Sequence, residues 1–368
     1  MWTITENKDW NHLRNSFSWI QDMEGVPQSA IYHAEGDVAI HTRMVVEELI
    51  KLPEYQALSE QDQAILFAAA LLHDVEKRST TKTEEDGSIT SKGHAKKGEY
   101  SARTILFKNH NTPFTIKEQI AKLVRYHGLP LWIFEKINPL KTLLQTSLEV
   151  NLAHLAMLAK ADALGRICPD QSDLLYRIEL FEEFCKEQNC WNEPRRFETD
   201  LGKYIYFEKE NKSPDFVPYE KDMFEVIMLC ALPGSGKDTY ISKNLKDIPM
   251  VSLDNFRRAN KISPTNKKGS GQVIQMAKAQ AKVHLRKREC FVWNATNIYR
   301  NLRWQLISLF QSYGAKVRII YLEVPYHQLI QQNQNREYPV PMKVLERMIL
   351  KLEVPAIWEA PIVEYHTY

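Results

Sequence analysis

Near residue 220 this chain changes its hydrophobic period, and a single core cannot serve both halves. Before that point apolar residues recur at three- and four-residue spacing, as in Val38, Val45 and Leu49 or in Ile116, Ile120 and Leu123, the pattern of amphipathic helices. From Phe224 onward short β-branched runs (Phe224 to Leu232, Cys290 to Trp293, Val317 to Val324) alternate with helical stretches (Gln272 to Arg288, Asn301 to Tyr313). That rhythm predicts a parallel α/β sheet. Asn211 to Asp222, with Pro214, Pro218 and mixed charges, reads as a linker. The expectation is an all-α domain over 1–210, a linker over 211–222 and an α/β domain over 223–368.

Composition agrees: 368 residues suffice for two cores, and 44% hydrophobic with 26% charged residues excludes a collagen-like or wholly disordered chain. Net charge is 48 − 46 = +2, so a nucleic-acid contact needs a local basic patch. Five cysteines without a C-x-x-C pair argue against a disulfide framework or zinc knuckle and suggest a reducing, cytoplasmic setting. The longest apolar run, Ala64 to Leu72, is far shorter than the ~20 residues of a membrane span, and no signal peptide is expected.

Eight of the eleven histidines precede residue 155. Along AILFAAALLHDVEK, Ala64 to Lys77, a helix apolar all round meets His73 and Asp74, and a buried carboxylate needs a partner. His41 lies on the stripe of Val38, Val45 and Leu49. His127 ends the stripe of Ile116, Ile120 and Leu123 before Gly128, read as a C-cap, and Asp162 shares a face with Leu155 and Leu158. Each alone is more simply a core residue satisfied by a backbone group. Together they suit a divalent ion such as manganese, iron, cobalt or nickel. Arg166 is either a substrate contact or an i,i+4 ion pair with Asp162.

These segments resemble the HD phosphohydrolase superfamily, and look like the HD domain of bacterial CCA-adding enzymes. The matching stretches are HAEGDVAIHTRMV, LLHDVEK, GHAKKGEYSA, RYHG and ADALGR, in family order between His33 and Arg166. The resemblance implies one metal on His41, His73, Asp74 and Asp162, and a second on His94 and His127 bridged by Asp74. Lys77, His33 and Arg166 are candidates for gripping substrate phosphate, with solvated surface as the alternative. His12, His110 and His154 match no motif and read as structural. No nucleotidyltransferase G-S…D-x-D pattern precedes these segments, so a CCA-adding enzyme is not expected.

In the other half ALPGSGKDT, Ala231 to Thr239, follows a strand-like run and precedes a helical pattern, the context of a Walker A loop. Pro233, Gly234, Ser235, Gly236, Lys237, Asp238 and Thr239 are the expected triphosphate cradle, with magnesium accompanying the nucleotide. Ala231 stands at the first glycine position and Asp238 where Ser or Thr normally ligates magnesium. Asp254 and Arg257 in VSLDNFRR, WNATN with Arg300 and Arg303 following, and Arg336 before a Pro-bounded segment fall where an open α/β sheet binds ligands. This set resembles the polynucleotide 5′-kinase branch of P-loop phosphotransferases. By that resemblance Asp254 is general base for a 5′-OH, Arg257 holds the acceptor phosphate and Arg336 is a lid arginine on the donor. The stripe Lys278, Lys282 and Arg286 reads as a solvated face.

The whole chain resembles the bacterial HD-Pnk family of RNA end-healing enzymes. That implies removal of a 2′,3′-cyclic, 2′- or 3′-phosphate by the first half and NTP-dependent phosphorylation of a 5′-OH by the second, alongside a separate RNA ligase. Two alternatives stay open: a phosphohydrolase of nucleotides or small metabolites fused to a small-molecule kinase, and a nucleotide-sensing RNA-binding regulator with an inactive P-loop.

Overall fold

A computed structural model describes residues 1–220, 223–262 and 266–367, with the backbone alone at Lys267. Two residues of the expected linker, 221 and 222, and the last residue of the expected α/β domain, 368, lie outside the described residues. Packing divides the chain into Met1–Arg195 and Arg196–Tyr368. The helix Asp200–Glu208 thus goes with the second unit, where Tyr204 Oη donates to Gln311 Oε1 (2.7 Å) and Lys316 Nζ to Glu220 Oε2 (2.7 Å).

The first unit is helical as expected, apart from a small antiparallel hairpin of β1 (Lys82–Thr83) and β2 (Ile89–Thr90). Its central rod is the helix Glu60–Leu72, whose residues Ala64 to Leu72 are all buried. The all-round apolar character follows from its neighbours: it packs against Val38–Lys51, Phe114–Tyr126 and Leu152–Leu164. The rod stops at Leu72 with His73 as its C-cap, so the ionisable pair stands at the end of a buried rod as expected. Val75 N bonds Leu72 O (3.2 Å) and Lys77 N bonds Asp74 O (2.9 Å), i→i−3 contacts that turn the chain, so His73 and Asp74 sit at the rod's tip. His127, not Gly128, caps the helix Phe114–Tyr126, and Gly128 (φ −82°) opens the short helix Leu129–Trp132. At Gly165 a Cβ would stand 2.8 Å from Val45 N, so the end of Leu152–Leu164 comes against the middle of Val38–Lys51 there.

The second unit holds a five-stranded, wholly parallel sheet. Its strands β3 (Phe224–Ala231), β4 (Met250–Ser252), β5 (Phe291–Asn294), β6 (Ala315–Glu323) and β7 (Ile362–Thr367) run in the order β4-β5-β3-β6-β7. The three β-branched runs become β5 and the two long strands flanking each other at the centre, with helices Lys267–Lys287 and Arg300–Gln311 between strands. β7 was not anticipated. The chain leaves β3 for β4 on one side and crosses after β5 to β6 on the other, which makes the C-terminal end of β3 the crevice where such sheets take ligands. Among the described residues no helix is long and apolar enough to cross a membrane.

Candidate functional site

Five helix ends and faces deliver the histidines and aspartates of the first unit to one place. His41 Nε2 lies 3.1 Å from Asp162 Oδ1 and 3.8 Å from Asp74 Oδ2. His73 Nε2 is 3.2 Å from Asp74 Oδ2, while His94 Nε2 and His127 Nε2 lie 3.4 and 3.9 Å from Asp74 Oδ1. His41, His73 and Asp162 form one set that could hold a metal, and Asp74, His94 and His127 form another. All six expected ligands therefore converge, with Asp74 facing both sets.

The opposite ring nitrogens explain why these sets suit a cation. His73 Nδ1 donates to Ala70 O (2.7 Å), His94 Nδ1 to Ser91 O (2.8 Å) and His127 Nδ1 to Val124 O (2.9 Å). A carbonyl accepts only, so each ring carries its proton on Nδ1 and turns the Nε2 lone pair inward. His94 Nε2 and His127 Nε2 face each other at 3.3 Å, two acceptors with no proton between them. His73 Nε2 and Asp74 Oδ1 are buried without a hydrogen-bond partner. A cation held by each set would satisfy these groups, and the donor sets of imidazoles and carboxylates fit divalent transition metals.

Charge around the cluster is balanced. Burial pushes the Asp74 carboxyl up, but the Lys77 ammonium beside it outweighs burial and holds it well below the usual range. Asp162 is likewise held low, against its burial, by Arg166 and His41. Burial takes His127 down to about 3. Lys77 Nζ contacts Asp74 Oδ2 (2.7 Å) and donates to Gln28 Oε1 (2.7 Å), and Arg166 grips Asp162 with two bonds of 3.0 and 2.6 Å. Both cations thus rest on ligand aspartates while lining an adjoining cavity of about 610 Å³, which His33 also lines.

Glu35 was missed by the sequence reading. Its Oε1 accepts from His33 Nδ1 (2.8 Å) and lies 2.9 Å from His41 Nδ1, and its Oε2 accepts from Ile167 N (2.9 Å). Burial raises its pKa, but the bonds from His33 and His41 pull it below the usual range, so it stays charged. The H-x-E spacing in HAEGD was its only local sign.

In the second unit the loop after β3 is a phosphate cradle in form. Gly234 and Gly236 have φ of 89° and 82°, left-handed values that favour glycine. At Gly234 a Cβ would also stand 2.9 Å from Leu329 O. Ala231 needs no glycine: it ends β3 and its N–H bonds Thr296 O (3.0 Å). Lys237 Nζ donates to the carbonyls of Ala231 (3.3 Å) and Leu232 (3.2 Å), within its own loop. Burial, aided by Arg336, pushes its pKa down to about 8.

A cavity of about 800 Å³ joins the expected residues: Pro233 to Thr239, Asp254, Arg257 and Arg336 all line it. Asp254 lies in the first turn of Leu253–Ala259, capped by Ser252, and Arg257 Nη1 bonds its Oδ1 at 3.0 Å. Of the two arginines after WNATN, neither lines this cavity. Arg303 is fully buried on Glu359 (2.8 and 2.9 Å) and on the carbonyls of Asn297 and Glu353, and Arg300 lies over Trp358.

Residues 38–164 match the HD domain family, and residues 226–355 match an AAA domain family. A multifunctional CCA protein of Methylococcus capsulatus (strain ATCC 33009 / NCIMB 11132 / Bath) is 30% identical over 122 residues, 33% of this chain and 26% of that protein, so the chain spans about a quarter of that relative's length. Two solved structures resemble parts of the chain. One is a Pnkp1/Rnl/Hen1 complex, at TM-score 0.29 and 17% identity over 34% of this chain and 43% of that one. The other, from Chloroflexus aurantiacus and described as a kinase candidate, has TM-score 0.34 and 14% identity over 40% of this chain and 86% of that one. At those TM-scores neither bears on fold or function. The six converging side chains lie within the first matched stretch and the phosphate cradle within the second, so an HD domain region and an AAA-type P-loop region share one chain.

Proposed function

We propose that this protein heals broken RNA ends, removing a 2′,3′-cyclic, 2′- or 3′-phosphate in its first unit and phosphorylating a 5′-OH in its second. The observation that carries the reading is the sorting of side chains: inward lone pairs and carboxylates converge in one unit, and a phosphate cradle facing an aspartate–arginine pair lines a cavity in the other. Opposite phosphate chemistries in one chain are complementary when they act on the two ends of one break. Such a product suits a separate RNA ligase.

In the first unit, a divalent ion on His41, His73, Asp74 and Asp162, with a second on His94 and His127, would supply an activated water and neutralise phosphate oxygens. The chain's own residues do the rest. The backbone carbonyls and Glu35 fix the imidazole tautomers, and Lys77, Arg166 and His33 meet the substrate's negative charge at the cavity wall.

In the second unit, Lys237 leaves its loop carbonyls for the β and γ oxygens of the donor, and the Gly234–Gly236 backbone surrounds the phosphates. Asp254 takes the proton as the acceptor oxygen bonds to the γ phosphorus and the β–γ bridging bond breaks, releasing nucleoside diphosphate. Arg257 holds the acceptor's phosphate and Arg336 the transferring group. Magnesium, near Asp238, would draw charge from the donor phosphates.

The test is a short RNA bearing a 2′,3′-cyclic phosphate and a 5′-OH, assayed with each metal and nucleotide and with a mononucleoside as rival acceptor. Asp74→Ala should abolish phosphate release and spare phosphorylation, and Asp254→Asn should do the reverse. One lesion removing both activities, or label passing to the mononucleoside in preference to RNA, overturns the reading.

A further inference from the structure

The cavity beside the histidine cluster is larger than a phosphate requires. At about 610 Å³ it matches sites for whole small molecules. Part of its wall is charged, through Lys77 and Arg166, which touch the ligand aspartates. Another part is aromatic. Tyr32 and Trp132 line the same space and stay 52% and 38% exposed, although most large rings of this unit are covered.

Trp132 is held in place. The Arg177 guanidinium lies 4.7 Å from its ring centroid, and Arg177 is itself fixed by Asp173 (2.8 Å), Glu135 (3.1 Å) and the Leu131 carbonyl (3.3 Å). A ring stiffened in this way loses little freedom when a flat partner settles on it. Tyr32 ends a turn closed by its N–H on Ser29 O (3.1 Å), one residue before His33. A phosphate offers these rings nothing, whereas a nucleobase attached to that phosphate offers a π face.

We infer that Tyr32 and Trp132 form a stacking subsite for the base of the nucleotide whose phosphate is removed, so the first unit recognises a nucleoside phosphate and not a bare phosphoester. This rests on the phosphohydrolase function proposed above. Stacking is available to every base, so the subsite discriminates little among the four.

The experiment compares two oligonucleotides that carry the same 3′-phosphate, one with an intact terminal nucleotide and one abasic there, on native protein, Trp132→Phe, Trp132→Leu and Tyr32→Leu. Loss of one base–aromatic stack raises KM about tenfold on the intact end. Both leucine variants should show that rise with kcat little changed, Trp132→Phe should restore most of it, and all four proteins should match on the abasic end. Equal effects on the two ends, or none on either, overturn the subsite while leaving the phosphohydrolase reading in place. Native protein that releases phosphate from neither end overturns both. Circular dichroism and bound-metal content of each variant show whether a loss comes from misfolding, and Tyr32→Leu, away from the Arg177 stack, then decides the matter.

Discussion

At the residue scale, the metal-binding character of the cluster lies in the atoms facing away from it. Each imidazole is committed by an acceptor behind it, and at His41 that acceptor includes Glu35, a carboxylate that burial has not neutralised. Glu35→Gln keeps the shape and weakens the orienting charge. Metal content after dialysis should fall, with affinity lower by about 10- to 100-fold. Retention of full affinity would remove Glu35 from the site. Lys237 offers a second test. A lysine lowered to about 8 is charged below that pH and neutral above it, and only the charged form attracts a triphosphate. Nucleotide affinity should therefore weaken as pH rises through 8, by up to about tenfold per unit while the bound lysine stays protonated. Arg336→Ala removes a neighbouring cation and should move that step to higher pH, as titration calorimetry across the range would show.

At the scale of elements, two close packings set the geometry. Gly165 lets the end of Leu152–Leu164 approach Val45, and His41 meets Asp162 across that junction. Gly165→Ala forces a methyl within 2.8 Å of backbone, which should cost about 2 kcal/mol in urea unfolding and loosen the His41–Asp162 pair. In the second unit, Arg303 ties the start of Arg300–Gln311 to the loops around Glu353 and Glu359. Arg303→Met leaves buried Glu359 without its two guanidinium bonds and with only the more distant Arg300 (3.9 Å), a loss of about 3 kcal/mol in the unfolding of that unit. A change under about 1 kcal/mol would mean that water replaces the arginine.

At the scale of the whole molecule, the two sites respond to different ligands. Manganese should raise the thermal midpoint of native protein and leave Asp74→Asn unmoved, whereas magnesium nucleotide should raise both. At a hundredfold excess over Kd each gain is about 2.7 kcal/mol. Equal response of the variant to manganese would show binding elsewhere.

The candidate residues of each half were legible because they are written in local spacing: a glycine loop between strand and helix, a His-Asp pair ending an apolar run, a change of period between domains. Local spacing also announced most elements, including the rod that ends at the His73–Asp74 pair, but not β7, whose strand is completed only by pairing with β6.

What the amino-acid order determined by itself was which residues could do chemistry. Only the tertiary structure decided which of them meet. His41 and Asp162 are 121 positions apart and Arg303 and Glu359 are 56 apart, yet the first pair belongs to the histidine–aspartate cluster and the second is structural. Trp132 carries no motif and Glu35 only the H-x-E spacing, and they gain their places through Arg177 and Ile167, which reach them from distant chain segments. Spacing along the chain encodes contacts within a turn or two of helix, whereas convergence depends on how whole elements pack.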